Sequence, residues 1–152
     1  MADTQRESTA PGLKILIVDD DPEVVEIFGT VVKEDDYCFS KLGRVLIAYD
    51  GNTAKATWEE ERPKVVVLDV MLPKRSGFLV LERIRSVERG EHIEGETRVC
   101  MITAMEGKRH ESYAEYLGVN DYLHKPVRMD RFLEILRGYI SDIERGTPGK
   151  IQ

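Results

Sequence analysis

Lys14-Ile15-Leu16-Ile17-Val18 runs directly into Asp19-Asp20-Asp21-Pro22. The apolar residues of this stretch follow one another without polar alternation, which is the pattern of a strand covered on both faces in a parallel sheet. An acidic triplet then ends the strand. Asp21 followed by Pro22 supplies a helix N-cap and a pre-set first helical residue. Four further apolar runs repeat the theme, at residues 44–49, 65–68, 99–103 and 119–124, with Val65-Val66-Val67-Leu68 the most continuous.

The stretches between these runs carry helical spacing. Val24, Val25, Ile27, Phe28, Val31 and Val32 form an apolar stripe, and Ala54, Ala56 and Trp58 mark a second helix over 52–61. Ser76 is placed to cap a third helix, in which Phe78, Leu79, Leu81 and Ile84 recur. A short fourth helix ends at Leu117, with Gly118 at the position after the cap. The fifth has Met129, Phe132, Leu133, Leu136, Tyr139, Ile140 and Ile143 on one face and Arg131, Glu134, Arg137 and Asp142 on the other. Strand and helix alternating five times predict an α/β doubly wound sheet with right-handed crossovers. Two polar segments, 35–43 and 88–98, read as solvated loops. A single domain over 12–145 is expected, between an N-terminal tail at 1–11 and a C-terminal tail or start of a linker at 146–152.

Twenty-eight acidic against 22 basic residues give a net charge of -6, which disfavours nonspecific binding to nucleic acid or anionic membrane. No apolar run approaches the roughly 20 residues needed to span a bilayer, and the first eleven residues lack the apolar core of a secretory signal. Cys38 and Cys100 form no CxxC pair and read as reduced thiols of a cytoplasmic protein. His92, His110 and His124 show no metal-ligand spacing.

In open parallel sheets, ligands sit outside the carboxyl ends of the strands. The first strand here ends in Asp19-Asp20-Asp21, the third in Asp69, the fourth in Thr103-Ala104 and the fifth in Lys125-Pro126. Clustered carboxylates repel unless a cation neutralises them, and Mg²⁺ is the natural candidate because it takes a few carboxylates plus waters and phosphate oxygens. Carboxylates, a hydroxyl and an ammonium on one edge are what phosphoryl transfer requires. Asp21 is assigned to capping rather than to this group.

The segments Lys14–Pro22, Val65–Pro73, Met101–Ala104 and Asp121–Pro126 together resemble the response-regulator receiver domain of two-component signalling, over nearly the whole chain. The resemblance implies five strands in the flavodoxin-like order 2-1-3-4-5, with helices on both faces. It implies that Asp69 is the phosphoacceptor, that Mg²⁺ is held by Asp20, Asp69, the backbone carbonyl of Met71 and, through water, Asp19, and that Lys125 pairs with the phosphoryl oxygens. It further implies that the Lys125–Pro126 bond is cis, that Thr103 hydrogen-bonds the phosphoryl group, and that Tyr122 is the aromatic switch. The phosphoryl donor would be a histidine kinase or histidine phosphotransfer protein. The responding surface would be made by the fourth helix, fifth strand and fifth helix, read by a downstream protein or by an output domain outside this chain, and open to homodimerisation. Such a chain is a signalling domain rather than an enzyme with turnover. One departure from the pattern is Ser76, where an Asp is frequent; both cap helices. The alternative is a receiver-fold interaction module that works without phosphorylation. An aspartyl-phosphate hydrolase would want a second acid two residues after Asp69, where Met71 stands.

Overall fold

Along the first strand, side chains leave alternately to opposite sides, and both sides find a core. Ile15 and Ile17 enter one buried cluster with Val25, Phe28, Phe132, Leu136 and Ile140. Leu16 and Val18 enter the other, with Ala54, Trp58, Leu81, Ile84 and Ala114. All four of these strand residues are at most 1% exposed, which explains why the run has no polar alternation. The computed structural model describes residues 12–147. In chain order they form β1 (Leu13–Val18), α1 (Pro22–Glu34), α2 (Asp36–Lys41), β2 (Leu42–Ala48), α3 (Gly51–Glu61), β3 (Val65–Asp69), α4 (Gly77–Gly90), β4 (Arg98–Thr103), α5 (Lys108–Leu117), β5 (Asp121–His124) and α6 (Met129–Glu144).

The sheet order is β2-β1-β3-β4-β5, with every ladder parallel. This is the expected five-stranded doubly wound arrangement. The apolar stripes of α1 and α6 meet over one face, where the Phe28 and Phe132 rings pack edge to face at 4.7 Å. Helices α3, α4 and α5 cover the other face. The helix ends follow their local chemistry. Asp21 accepts from the Glu23 N–H at 2.9 Å, with Pro22 opening α1. Gly118 stops α5 at φ 95°, its N–H donating to Ala114 and Glu115 carbonyls.

Two segments depart from the sequence reading. Residues 35–43 do not form a loop: they contain α2, capped by Asp35, which accepts from the Cys38 N–H at 3.0 Å. Burying Cys38 completely in the α1/α6 core gives this single turn-and-a-half its reason to fold. The helix is also held to α6 by the ion pairs of Arg137 with Asp35 and of Lys41 with Glu144. Because of this addition, the fourth and fifth helices of the sequence reading are α5 and α6.

Residues 88–98 are not simply a solvated loop either. Helix α4 continues to Gly90, and Glu88, Thr97 and Arg98 are buried. Residues 1–11 of the expected N-terminal tail, and 148–152 at the other end, lie outside the described residues. Thr147 donates its N–H to the Asp142 carbonyl at 2.9 Å, and its own carbonyl accepts from Arg98. Among the described residues, no helix is long and apolar enough to cross a membrane.

Candidate functional site

The parallel sheet brings the C-terminal ends of β1 and β3 side by side, Val18 opposite Leu68 in register, so the next residues of each strand meet. Asp19, Asp20 and Asp69 each offer a carboxylate oxygen, and these oxygens all lie within 4.8 Å of one another. Asp19 and Asp69 are buried, whereas Asp20 is exposed. Asp21 stands apart as the cap of α1. From two strands away, Lys125 extends its Nζ to 2.7 Å from Asp19 Oδ2 and 3.4 Å from Asp69 Oδ2. The Lys125–Pro126 peptide is cis.

Backbone donors hold the carboxylates. Asp19 Oδ1 accepts from the Asp21 N–H at 3.0 Å, and Asp69 Oδ1 from the Met71 N–H at 3.3 Å. The start of α4 presses on the Asp69 backbone: the Gly77 N–H donates to the Val70 carbonyl at 2.9 Å, and a Cβ on Gly77 would stand 2.1 Å from the Asp69 carbonyl oxygen. Only glycine allows that approach. A cleft of about 630 Å³ opens above Asp20, Asp69 and Lys125, walled by Met71, Leu72, Phe78 and Met105.

Thr103 ends β4 and is fully buried. Its Oγ1 accepts from the Met105 N–H at 3.0 Å, so the hydroxyl caps its own loop. The Thr103 carbonyl accepts from the Lys125 N–H at 2.8 Å, which joins the loop after β4 to the lysine. Tyr122 lies on β5, opposite Met101 of β4, and packs against the cluster under α3, α4 and α5. Its hydroxyl is buried without a partner among the described residues. Asp19, Asp20, Asp69 and Lys125 therefore form one constellation, with Thr103 at the adjoining strand end and Tyr122 one strand further.

Burial pushes the Asp69 carboxyl up from its ordinary 3.8, and the negative charge of Asp19 adds to this; the Lys125 ammonium and the Met71 N–H oppose, leaving it at about 6. For Lys125, burial works against the ammonium, but Asp19 and Asp69 outweigh it and hold the group above its ordinary value. A raised acid binds more protons folded than unfolded, so its contribution to stability is complete below the unfolded value and is lost as pH rises through the folded one. In metal-free buffer, wild-type protein is therefore expected to lose stability relative to Asp69→Asn as pH rises from about 4 to about 6. Urea denaturation of both proteins across this range measures the gap. A gap that does not change with pH would show that Asp69 titrates alike in both states.

The profile of the response regulator receiver domain matches residues 15–137, and the chain belongs to that family. Among solved structures, it is similar to a CheY-like receiver domain protein of Methanospirillum hungatei JF-1 (22% identity, TM-score 0.75, covering 89% of this chain and 98% of that one). It is also similar to the BeF3-activated receiver domain of DrrB from Thermotoga maritima (27%, 0.71, 86% and 98%). A third is the chemotaxis response regulator CheY4 of Vibrio cholerae (22%, 0.69, 84% and 98%).

The strand ends point to the members of the acidic edge but not to what holds the loop after Asp69. Asp50, Gly51 and Asn52, at the start of α3, contact Pro73, Lys74 and Arg75. The Asp-Gly pair opening a helix was the available signal, and it reads equally well as a simple cap.

Proposed function

We propose that this chain is a phosphorylatable switch in which Asp69 takes a phosphoryl group from the histidine of a kinase or phosphotransfer protein in the cytoplasm, the receiver unit spanning 12–145. The observation that carries the proposal is the meeting of Asp19, Asp20 and Asp69 with the Lys125 ammonium at the mouth of one cleft. A carboxylate oxygen of Asp69 attacks phosphorus, the bond from phosphorus to the donor breaks, and an acyl phosphate results.

Three carboxylates, two of them buried, against one ammonium leave an excess of negative charge that suits a small hard cation. Asp20, Asp69 and the Met71 carbonyl would hold Mg²⁺, with Asp19 behind them through water; the ion, when bound, supplies charge neutralisation to the phosphoryl oxygens. The Met71 N–H fixes the orientation of the Asp69 carboxylate. Lys125 already bridges Asp19 and Asp69 and is within reach of an added phosphoryl oxygen. The Thr103 hydroxyl oxygen is occupied as an acceptor, so its hydrogen remains available for that oxygen as donor. Drawing Thr103 and Lys125 toward the new group shifts the loops that carry them, and the surface of α5, β5 and α6 follows, with Tyr122 between. A downstream partner or second copy must bind the two states with different affinity to read the change.

Incubation with acetyl phosphate and Mg²⁺ is expected to add one phosphoryl mass to the wild-type protein and none to Asp69→Asn. Chelating Mg²⁺ should abolish the reaction. Lowering pH through about 6 should slow it, because the proton on Asp69 competes with both metal and phosphorus. A protein that stays unmodified under all these conditions would instead be an interaction module that retains the receiver fold.

A further inference from the structure

The loop between Asp69 and α4 is clamped from the side by the first turn of α3. Pro73 lends its carbonyl to the Gly51 N–H at 3.1 Å. Arg75 donates from Nε to Asn52 Oδ1 at 3.1 Å, and Lys74 lies 4.0 Å from Asp50. Gly51 sits so close that a Cβ there would be 1.8 Å from the Arg75 carbonyl oxygen, a backbone atom that cannot swing away. Lys74 is held at φ 70°, a left-handed conformation that a lysine seldom adopts unassisted. The same loop carries Met71, whose N–H orients the Asp69 carboxylate.

We infer that Gly51 and Asn52 are positioning residues for the phosphorylation site: by gripping Pro73 and Arg75 they fix the loop that presents the Met71 backbone to the metal and to Asp69. The inference rests on the function proposed above, but the clamp itself is testable without it. Neither residue touches the acidic cluster, and both act through the loop. Asn52 is exposed in the first turn of a helix, where alanine is at least as good a helix former, so a purely structural role predicts no loss of melting temperature on its removal.

Two readouts on Asn52→Ala and Gly51→Ala separate the parts. In limited trypsin digestion without metal, cleavage after Lys74 or Arg75, read by fragment mass, is expected to be about five-fold faster than in wild type. Calorimetric Mg²⁺ affinity is expected to weaken about 10-fold, as for other groups that orient a ligand from outside the first sphere. Asn52→Asp, which keeps the acceptor for Arg75, should restore both. Unchanged cleavage overturns the clamp. Faster cleavage with wild-type Mg²⁺ affinity overturns the positioning role. If wild-type protein itself binds no Mg²⁺ and takes no phosphoryl group, the proposed function falls and the positioning role with it, while the digestion still reports on the clamp.

Discussion

Glu88→Ala is expected to destabilise the protein by about 3–5 kcal/mol, because Glu88 is buried and paired rather than solvated. Glu88 and Arg85 are each 1% exposed. Arg85 donates to Glu88 at 2.8 Å, to the Thr97 carbonyl at 2.7 Å, to Asn120 at 2.9 Å and, from Nε, to the Gly118 carbonyl at 2.9 Å. Glu88 in turn accepts from the N–H groups of Gly95 at 3.0 Å and Thr97 at 2.7 Å. Trp58 reaches the same cluster through Thr97 Oγ1. Removing Glu88 strands a buried guanidinium and two buried amides together. The midpoint of urea unfolding, followed by Trp58 fluorescence, measures the loss, which corresponds to a fall of about 10 °C in Tm for a domain of this size. A Glu88→Ala protein as stable as wild type would show that the cluster contributes nothing net.

That network was hidden in the sequence by a rule that usually works. Charged residues near a helix end are normally solvated, and that is the expectation for residues 88–98. Yet Glu88 lies three and four residues beyond Arg85 and Ile84 and seven beyond Leu81, on the stripe that the apolar spacing had already assigned to the core. Periodicity places a residue on a face; it does not reveal that a charge on that face has a partner. That partner set comes from the 91–97 turn, α5's end and β5's approach, which only the fold brings together. Helix α2 escaped for a different reason. Six residues are too few for a 3.6-residue period to show itself, and its stability comes from Cys38 reaching a core built by α1 and α6. By contrast, β1 and β3 are plain, because Ile15–Val18 and Val65–Leu68 are buried on both faces and each of those residues is apolar.

The acidic edge was legible for a topological reason. A parallel sheet puts all strand C-termini on one side, so Asp19, Asp20, Asp69 and Lys125 could be gathered by strand alone. What strand order cannot give is side-chain reach. Lys125 choosing Asp19 at 2.7 Å over Asp69 at 3.4 Å, and Thr103 turning to Met105, are outcomes of packing. The grip of Asn52 on Arg75 spans 23 positions and involves residue types that read as ordinary helix opening and loop.

Under the function proposed above, in which Asp69 takes the phosphoryl group and Lys125 donates to it, Lys125→Met is expected to slow phosphorylation by acetyl phosphate about 100-fold, the scale of losing one preorganised charged donor from a transferring oxygen. The methionine keeps the length and packing of the lysine stem and deletes the ammonium alone. Its second effect runs through Asp69. Lys125 is the positive group that restrains the rise of the Asp69 carboxyl, so without it that carboxyl is expected to titrate above about 6. The pH at which phosphorylation fails should then move upward, and Mg²⁺ should become more necessary, since Lys125 would no longer offset the charge of Asp19 and Asp69. Lys125→Arg retains charge but spreads it over a planar fork, and an intermediate rate is expected. Rates measured by mass spectrometry from pH 5.5 to pH 8, with Mg²⁺ varied, separate the two effects: loss of the donor lowers the plateau, and loss of the countercharge shifts the midpoint. A Lys125→Met protein with wild-type plateau and midpoint would remove Lys125 from both roles.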